Sequence, residues 1–196
     1  LMTYNILAIN PGHNGSAALI KDGILDVYIE EERLSRFKRD GNPYRAMLKI
    51  MDKNHVNLLV IGGTGQEEHR LPWTGEISYG ALVRKYYPDV KVTAVWGEHH
   101  FGHAAAAFYG SGFESAAAVI VDGSGSRQGI QVSEKDNIEA FETESIFKCE
   151  GTEVEPVFKR HASNDAPNLS SPQGEIDSAV TTVKAYEAVS EYLGFE

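Results

Sequence analysis

Between Val95 and Ser126 the chain reads VWGEHHFGHAAAAFYGSGFESAAAVIVDGSGS, and no other stretch restricts the fold so closely. Ala104 to Ala107 are strong helix formers, and Gly110 and Gly112 stand where a helix is commonly stopped. The spacing predicts a helix over roughly Glu98 to Tyr109. His99 and His103 lie four apart and share one face of it, while His100 points elsewhere. A buried-type strand, Ala116 to Val121, then ends in Asp122 and the turn Gly123-Ser124-Gly125-Ser126. Two imidazoles on one helical face with a carboxylate at a strand end suit a divalent metal, with iron, zinc and manganese all compatible. The same residues also suit an ordinary helix lined by histidines, with Asp122 bonded only to its own turn. The glycine-serine turn favours a site, because such turns present backbone N–H groups to an anion.

The N-terminal third gives a consistent picture. Ile6–Asn10, Ala17–Ile20 and Ile24–Ile29 are apolar runs joined by Pro11-Gly12-His13-Asn14-Gly15-Ser16 and by Lys21-Asp22-Gly23. Asp-Gly between apolar runs is a hairpin signal, so three antiparallel strands are expected. The first turn could receive a phosphate through His13, Asn14 and Ser16, or serve only as a hairpin turn. It has neither P-loop nor Rossmann spacing. Glu30 to Asp40 mixes acids and bases, either as a solvated run or with Arg33, Arg36 or Lys38 turned inward to an anion. Pro43–Asn54 and Ile77–Tyr87 read as helices, and Val56–Ile61 and Val90–Trp96 as strands, which implies an α/β layer with parallel pairing. Further on, Gly129–Ser133 and Ile138–Phe147 read as strands, Glu150–Ser171 as irregular, and Ser178–Leu193 as a final helix.

Charge narrows the choice of partner. Residues 1–103 carry 12 Lys/Arg against 12 Asp/Glu, and residues 104–196 carry 6 against 16, so the whole net charge of −10 lies in the second part. That excess argues against a nucleic-acid backbone as the main partner. The single Cys149 forbids an internal disulfide and fits a reducing cytoplasm, and neither a membrane span nor a signal peptide is expected.

Three segments, NILAINPGHNGSAALIKDG with IEEERLSRFK, EHHFGHAAAAFYGSGFESAAAVIVDGSG, and AYEAVSEYLGF, run in order over nearly the whole chain. Together they resemble the N-terminal part of the NodU/CmcH O-carbamoyltransferases. That family is similar to the Kae1/YgjD threonylcarbamoyl-tRNA enzymes and, more distantly, to the actin-like (ASKHA) ATPases, whose two RNase H-like lobes hold nucleotide between them. The resemblance implies a Kae1-like α/β fold with a mixed sheet, a first lobe over residues 1–112 that includes the histidine helix, and the start of a truncated second lobe over 113–196.

For chemistry, the resemblance implies carbamoyl-adenylate formation from carbamoyl phosphate and ATP with Mg²⁺, then carbamoyl transfer to a hydroxyl of a small-molecule acceptor. It implies a metal, iron by analogy, on His99, His103 and Asp122, and His13 in the transfer site as proton acceptor. Gly12, Asn14 and Ser16 of the first turn and Gly123, Ser124 and Gly125 of the second would contact substrate or nucleotide. Members of the family are much longer, and a further metal ligand and much of the adenine pocket come from parts outside these 196 residues. The chain alone is therefore expected not to carbamoylate. The apolar residues of its last helix, Val183, Val189 and Tyr192, are expected to meet a second copy or the remaining C-terminal region. Two alternatives stay open: a threonylcarbamoyl-tRNA-type enzyme, and a catalytically incomplete nucleotide- or metal-binding module acting through a partner.

Overall fold

The computed structural model describes residues 3–63, 76–95, 97–131, 133, 136–163, 169–171, 174–177 and 181–195. Thr64, Gly65, Trp73, Trp96 and the first turn of the helix read from Ser178 lie outside them. The chain divides into two compact units, residues 1–96 and 97–196.

In the first unit, alternating apolar residues build the sheet. β1 (Asn5–Asn10), β2 (Ser16–Lys21) and β3 (Ile24–Glu30) form the expected antiparallel meander. Asp22 and Gly23, both at positive φ (50° and 86°), close its second turn, as a tight hairpin requires. β4 (Leu58–Ile61) and β5 (Lys91–Ala94) continue the sheet in parallel, giving the order β3-β2-β1-β4-β5. The result is a mixed sheet, an antiparallel meander extended by two parallel strands. Leu7, Ile9, Ala17, Leu19, Leu59 and Ile61 are buried from the sheet side. Against them pack Ala46, Met47, Ile50 and Met51 of α2 (Tyr44–Met51) and Tyr79 and Val83 of α3 (Glu76–Tyr86).

Arg33, Arg36 and Lys38 of the charged run are all exposed, as the solvated reading has it, and none turns inward. Arg33 pairs with Glu30 at 3.1 Å and Lys38 with Glu32 at 2.9 Å, both at the surface, where such pairs contribute about 0–1 kcal/mol. The residue that turns inward is an acid. Glu31, in α1 (Glu31–Ser35), is buried, and its carboxylate accepts from the Ala46 and Arg45 N–H groups at 2.8 and 3.2 Å. It thereby caps α2, whose own N-cap, Pro43, has no side chain to do so.

The second unit contains α4 (His99–Ser111), β6 (Ser115–Val121), β7 (Arg127–Gln131), β8 (Asn137–Glu150), β9 (Glu153–Ala162), β10 (Leu169–Ser171), β11 (Gly174–Asp177) and α5 (Thr182–Tyr192). The sheet runs β10-β11-β9-β8-β6, with β7 also on β8. The histidine helix belongs here and not with residues 1–112. Its Ala104 and Phe108, four apart, pack with Ala118, Phe147 and Cys149, so the boundary falls before the helix. The segment read as irregular is largely strand. β9 pairs with β8 through Pro156, which sits opposite Phe147 at a register shift, the kind of place where a strand tolerates a missing N–H.

α5 buries no side chain, and Val189 and Tyr192 are exposed as expected, whereas Val183 is half-buried and sits over Gly123. No helix among the described residues is long and apolar enough to cross a membrane. α5 is held chiefly at its start. Thr181 accepts from Lys184 N–H at 3.1 Å, and Glu144 of β8 accepts from both the N–H and the hydroxyl of Thr182. The Thr182 hydroxyl, followed by its N–H and the Arg160 guanidinium, holds the Glu144 carboxyl below the usual range despite burial. A depressed value means that this stabilisation is present above the unfolded carboxyl range and lost as pH falls through the folded one. Glu144→Ala is expected to cost about 1–2 kcal/mol. Hydrogen exchange of residues 182–192 checks it: protection should fall in the variant and, for the native chain, on acidification below pH ~4. Equal protection in both proteins at neutral pH would remove Glu144 as the anchor.

Candidate metal centre

The centre is built where α4 begins beside the glycine-serine turn. Glu98, preceding the helix, provides no side-chain cap. Ser126, fully buried, does so instead, accepting from the His99 N–H at 3.1 Å. The turn is in turn tied to β8, with Gly125 N–H donating to the Glu142 carbonyl at 2.8 Å and Ser126 N–H to Glu142 Oε2 at 3.3 Å. Glu142 is fully buried and its other oxygen meets Lys159 Nζ at 2.6 Å. Gly125 is obligatory for a steric reason. A Cβ there would lie 2.8 Å from His100 Cδ2 and Nε2 and 3.0 Å from Glu142 Cβ.

Along α4, His100 continues the buried stripe of Ala104 and Phe108, while His99 and His103 flank it. The structure brings His99, His103 and Asp122 together as the sequence predicts, with one ligand atom of each within 4.8 Å of the others. His103 Nε2 lies 3.0 Å from His99 Nε2, and His99 Nε2 lies 2.9 Å from Asp122 Oδ2. The two rings meet edge to face, with centroids 4.4 Å apart.

Proton counting gives this cluster its chemical character. His99 Nε2 faces both Asp122 Oδ2 and His103 Nε2 with at most one proton: it is hydrogen-bonded to His103 Nε2 but not aligned on Oδ2, which is buried without a hydrogen-bonded donor. Three lone-pair donors thus converge with too few protons. A cation supplies what is missing, and tetrahedral ligands at about 2.1 Å from a metal stand ~3.4 Å apart, within half an ångström of the two short separations. The residues present fit a divalent metal.

Burial alone would raise the Asp122 carboxyl, but the His99 charge, the Gly123 N–H at 2.7 Å and His100 together hold it below the usual range. Although its residue is exposed, partial desolvation of the His103 ring, and then the neighbouring His99, push its imidazole down. Both groups are therefore in their ligand forms at neutral pH, an anionic carboxylate and a neutral ring.

Several expectations need correction. His100 does not point away. Its ring is fully buried, Nδ1 is 2.7 Å from Ser145 Oγ, and Nε2 is 3.9 Å from Asp122 Oδ2, because the residue preceding Ala104 by four belongs to the core stripe. The phosphate-cradling role read for Gly123 and Gly125 meets N–H groups already bonded, to Asp122 Oδ1 and to the Glu142 carbonyl. Ser124 is exposed at the tip of the turn.

The other predicted residues sit in the first unit. His13 and Asn14 are exposed on the β1–β2 turn, and Ser16 is buried opposite Asn10 in the ladder. Gly12 N–H donates to the Gly41 carbonyl at 2.9 Å and Gly15 N–H to Asp40 at 2.8 Å, so this turn too is braced from within. Ser126, Glu142, Lys159 and Ser145 escaped the sequence reading. Ser126 closes the turn and precedes β7, a visible place for a cap. Glu142, Lys159 and Ser145 lie in strands that carry no motif.

No protein-family profile matches the chain. It is 25% identical, over 96% of its own length and 38% of the relative's, to an uncharacterised protein of Methanocaldococcus jannaschii. It is 25% identical to the nodulation protein NolNO of Sinorhizobium fredii, over 74% of this chain and 22% of that protein. The chain thus spans well under half of either relative. A solved structure of the Aquifex aeolicus PPX-GPPA enzyme matches 80% of this chain and 52% of its own at 15% identity, with a TM-score of 0.38.

Replacing His99 by Ala or Asp122 by Asn is expected to weaken cobalt(II) binding by about 100-fold or more, beyond the 10–100-fold typical of an outer partner. Titration of the visible cobalt absorption at constant pH reads this directly, and unchanged affinity would withdraw the ligand assignment. Gly125→Ala is expected to destabilise the fold by about 1–3 kcal/mol in chemical denaturation, through its collision with His100 and Glu142.

Proposed function

We propose that this chain is the metal-bearing part of an ATP-dependent O-carbamoyltransferase acting on a hydroxyl of a small-molecule acceptor. The observation that carries the reading is the convergence of His99, His103 and Asp122 at one point, beside a glycine-serine turn. The order of sequence motifs and the distant likeness to the nodulation protein NolNO support it. The acidic balance of residues 104–196, 6 Lys/Arg against 16 Asp/Glu, favours a small acceptor over tRNA.

In this reading a bound divalent metal, iron by analogy, supplies positive charge to an anionic phosphate intermediate. His99, His103 and Asp122 would hold it. Ser126 fixes the start of α4, and so the position of His99. Ser124, exposed on the turn, remains available to phosphate. His13, solvent-accessible on the β1–β2 turn, takes the proton of the acceptor hydroxyl, a task suited to imidazole near neutral pH. Transfer by way of carbamoyl-adenylate consumes carbamoyl phosphate, ATP with Mg²⁺, one water and the acceptor. It releases one AMP, one pyrophosphate and one phosphate per carbamoyl group.

A second reading, a nucleotide- or metal-binding module that acts through a partner, has its own support. The Gly123 and Gly125 N–H groups are engaged internally, and α5 buries no side chain. The two are separated by assaying the protein that carries this chain with carbamoyl phosphate, Mg²⁺-ATP and hydroxyl acceptors. AMP and pyrophosphate should form in equal amounts, only when carbamoyl phosphate is present. Binding without AMP release selects the module. His13→Ala should lower turnover by about 10²–10⁴-fold with an unchanged melting temperature, since the side chain is exposed. Full turnover in that variant would remove His13 from the reaction.

A further inference from the structure

The third histidine of the motif is unused by the ligand set, although its surroundings are specific. His100 is fully buried and its Nε2 has no hydrogen-bond partner. Its ring is fixed from two sides. Nδ1 is 2.7 Å from Ser145 Oγ, and Gly125 leaves no room on the Cδ2–Nε2 edge. So held, Nε2 lies 3.9 Å from Asp122 Oδ2, a buried oxygen whose nearer ring nitrogen, His99 Nε2 at 2.9 Å, is not aligned to donate to it. A buried donor without a partner thus stands beside a buried carboxylate oxygen, across a gap about 1 Å longer than a hydrogen bond.

We infer that His100 is a positioning residue for the metal-binding carboxylate: Ser145 fixes its tautomer, and its Nε2–H orients Asp122 for ligation. The inference rests on the metal-centre reading above. A neutral imidazole carries one proton. Opposite an ionised carboxylate, which only accepts, the proton belongs on Nε2, and Nδ1 then accepts from the Ser145 hydroxyl. With His99 Nε2 deprotonated as a ligand, its proton passed to solvent, the carboxylate still needs an orienting donor, and Gly123 N–H already occupies its other oxygen at 2.7 Å. His100 is the ring aimed at the remaining side. Its burial also explains the sterically obligatory Gly125: any side chain there would push the ring off its line.

The test uses cobalt(II) as probe, on the whole protein, with affinity and the ligand-field spectrum at saturation as readouts and melting temperature as control. His100→Gln, whose amide nitrogen stands near the position of Nε2, should keep most of the affinity and the native spectrum. His100→Asn, which reaches only as far as Nδ1, should lose about 10–100-fold and shift the bands, and His100→Phe the same. Ser145→Ala, which frees the tautomer without touching Asp122, should fall between them and covers the case in which the Phe variant does not fold. Native affinity and spectrum in the Asn and Ser145→Ala variants would overturn the inference. So would complete loss of cobalt in both Asn and Gln variants, matching His99→Ala, which would make His100 a direct ligand. Failure of the unaltered protein to bind cobalt would sink the metal centre itself, and this inference with it.

Discussion

The second unit depends on one close approach, that of the Gly125 backbone to the buried ring of His100. It lets the turn after β6 lie flush against the start of α4. Only at that distance can Ser126 cap the helix and Glu142 receive the two N–H groups of the turn. The consequence reaches the candidate centre directly. Asp122 lies at the β6 end of this turn and His99 at the helix start, so the spacing that seats Gly125 also sets the 2.9 Å separation between their ligand atoms. Packing and prospective chemistry thus share one constraint.

Beneath the turn lies a buried pair, Glu142 with Lys159. Breaking such a pair from one side typically costs about 3–5 kcal/mol, far more than an exposed bridge contributes. Its usefulness here is positional. Glu142 contributes one oxygen to Lys159 and the other to Ser126 N–H, so the anionic side chain is satisfied on both sides and the turn acquires a fixed height above the sheet. A weaker, neutral interaction would hold the same atoms less firmly.

How much of this was legible in the sequence follows from the range of the interactions. Local patterns carried well: the Asp22-Gly23 hairpin, the meander, the helix from His99 and the His99–His103 face all depend on neighbours within a turn or two. Interactions across the sheet did not. Glu31 reads as one acid in a charged run, and only tertiary packing turns it onto the N-terminus of α2, fourteen residues away. Pro156 suggested irregular chain, and the register shift opposite Phe147 that absorbs it is a property of the β8–β9 pairing. His100 is instructive because the signal was present. Ala104 and Phe108 follow it at intervals of four, so the buried stripe runs through it, although His99 and His103 on either side give the stronger pattern.

The central claim is that His99, His103 and Asp122 form one metal site. X-ray absorption spectroscopy of the protein loaded with one equivalent of iron(II) or cobalt(II) tests it without reference to turnover. Nitrogen and oxygen neighbours are expected at about 2.0–2.2 Å, with the outer-shell scattering of two imidazole rings. A first shell of oxygen alone, with no imidazole contribution, would contradict it.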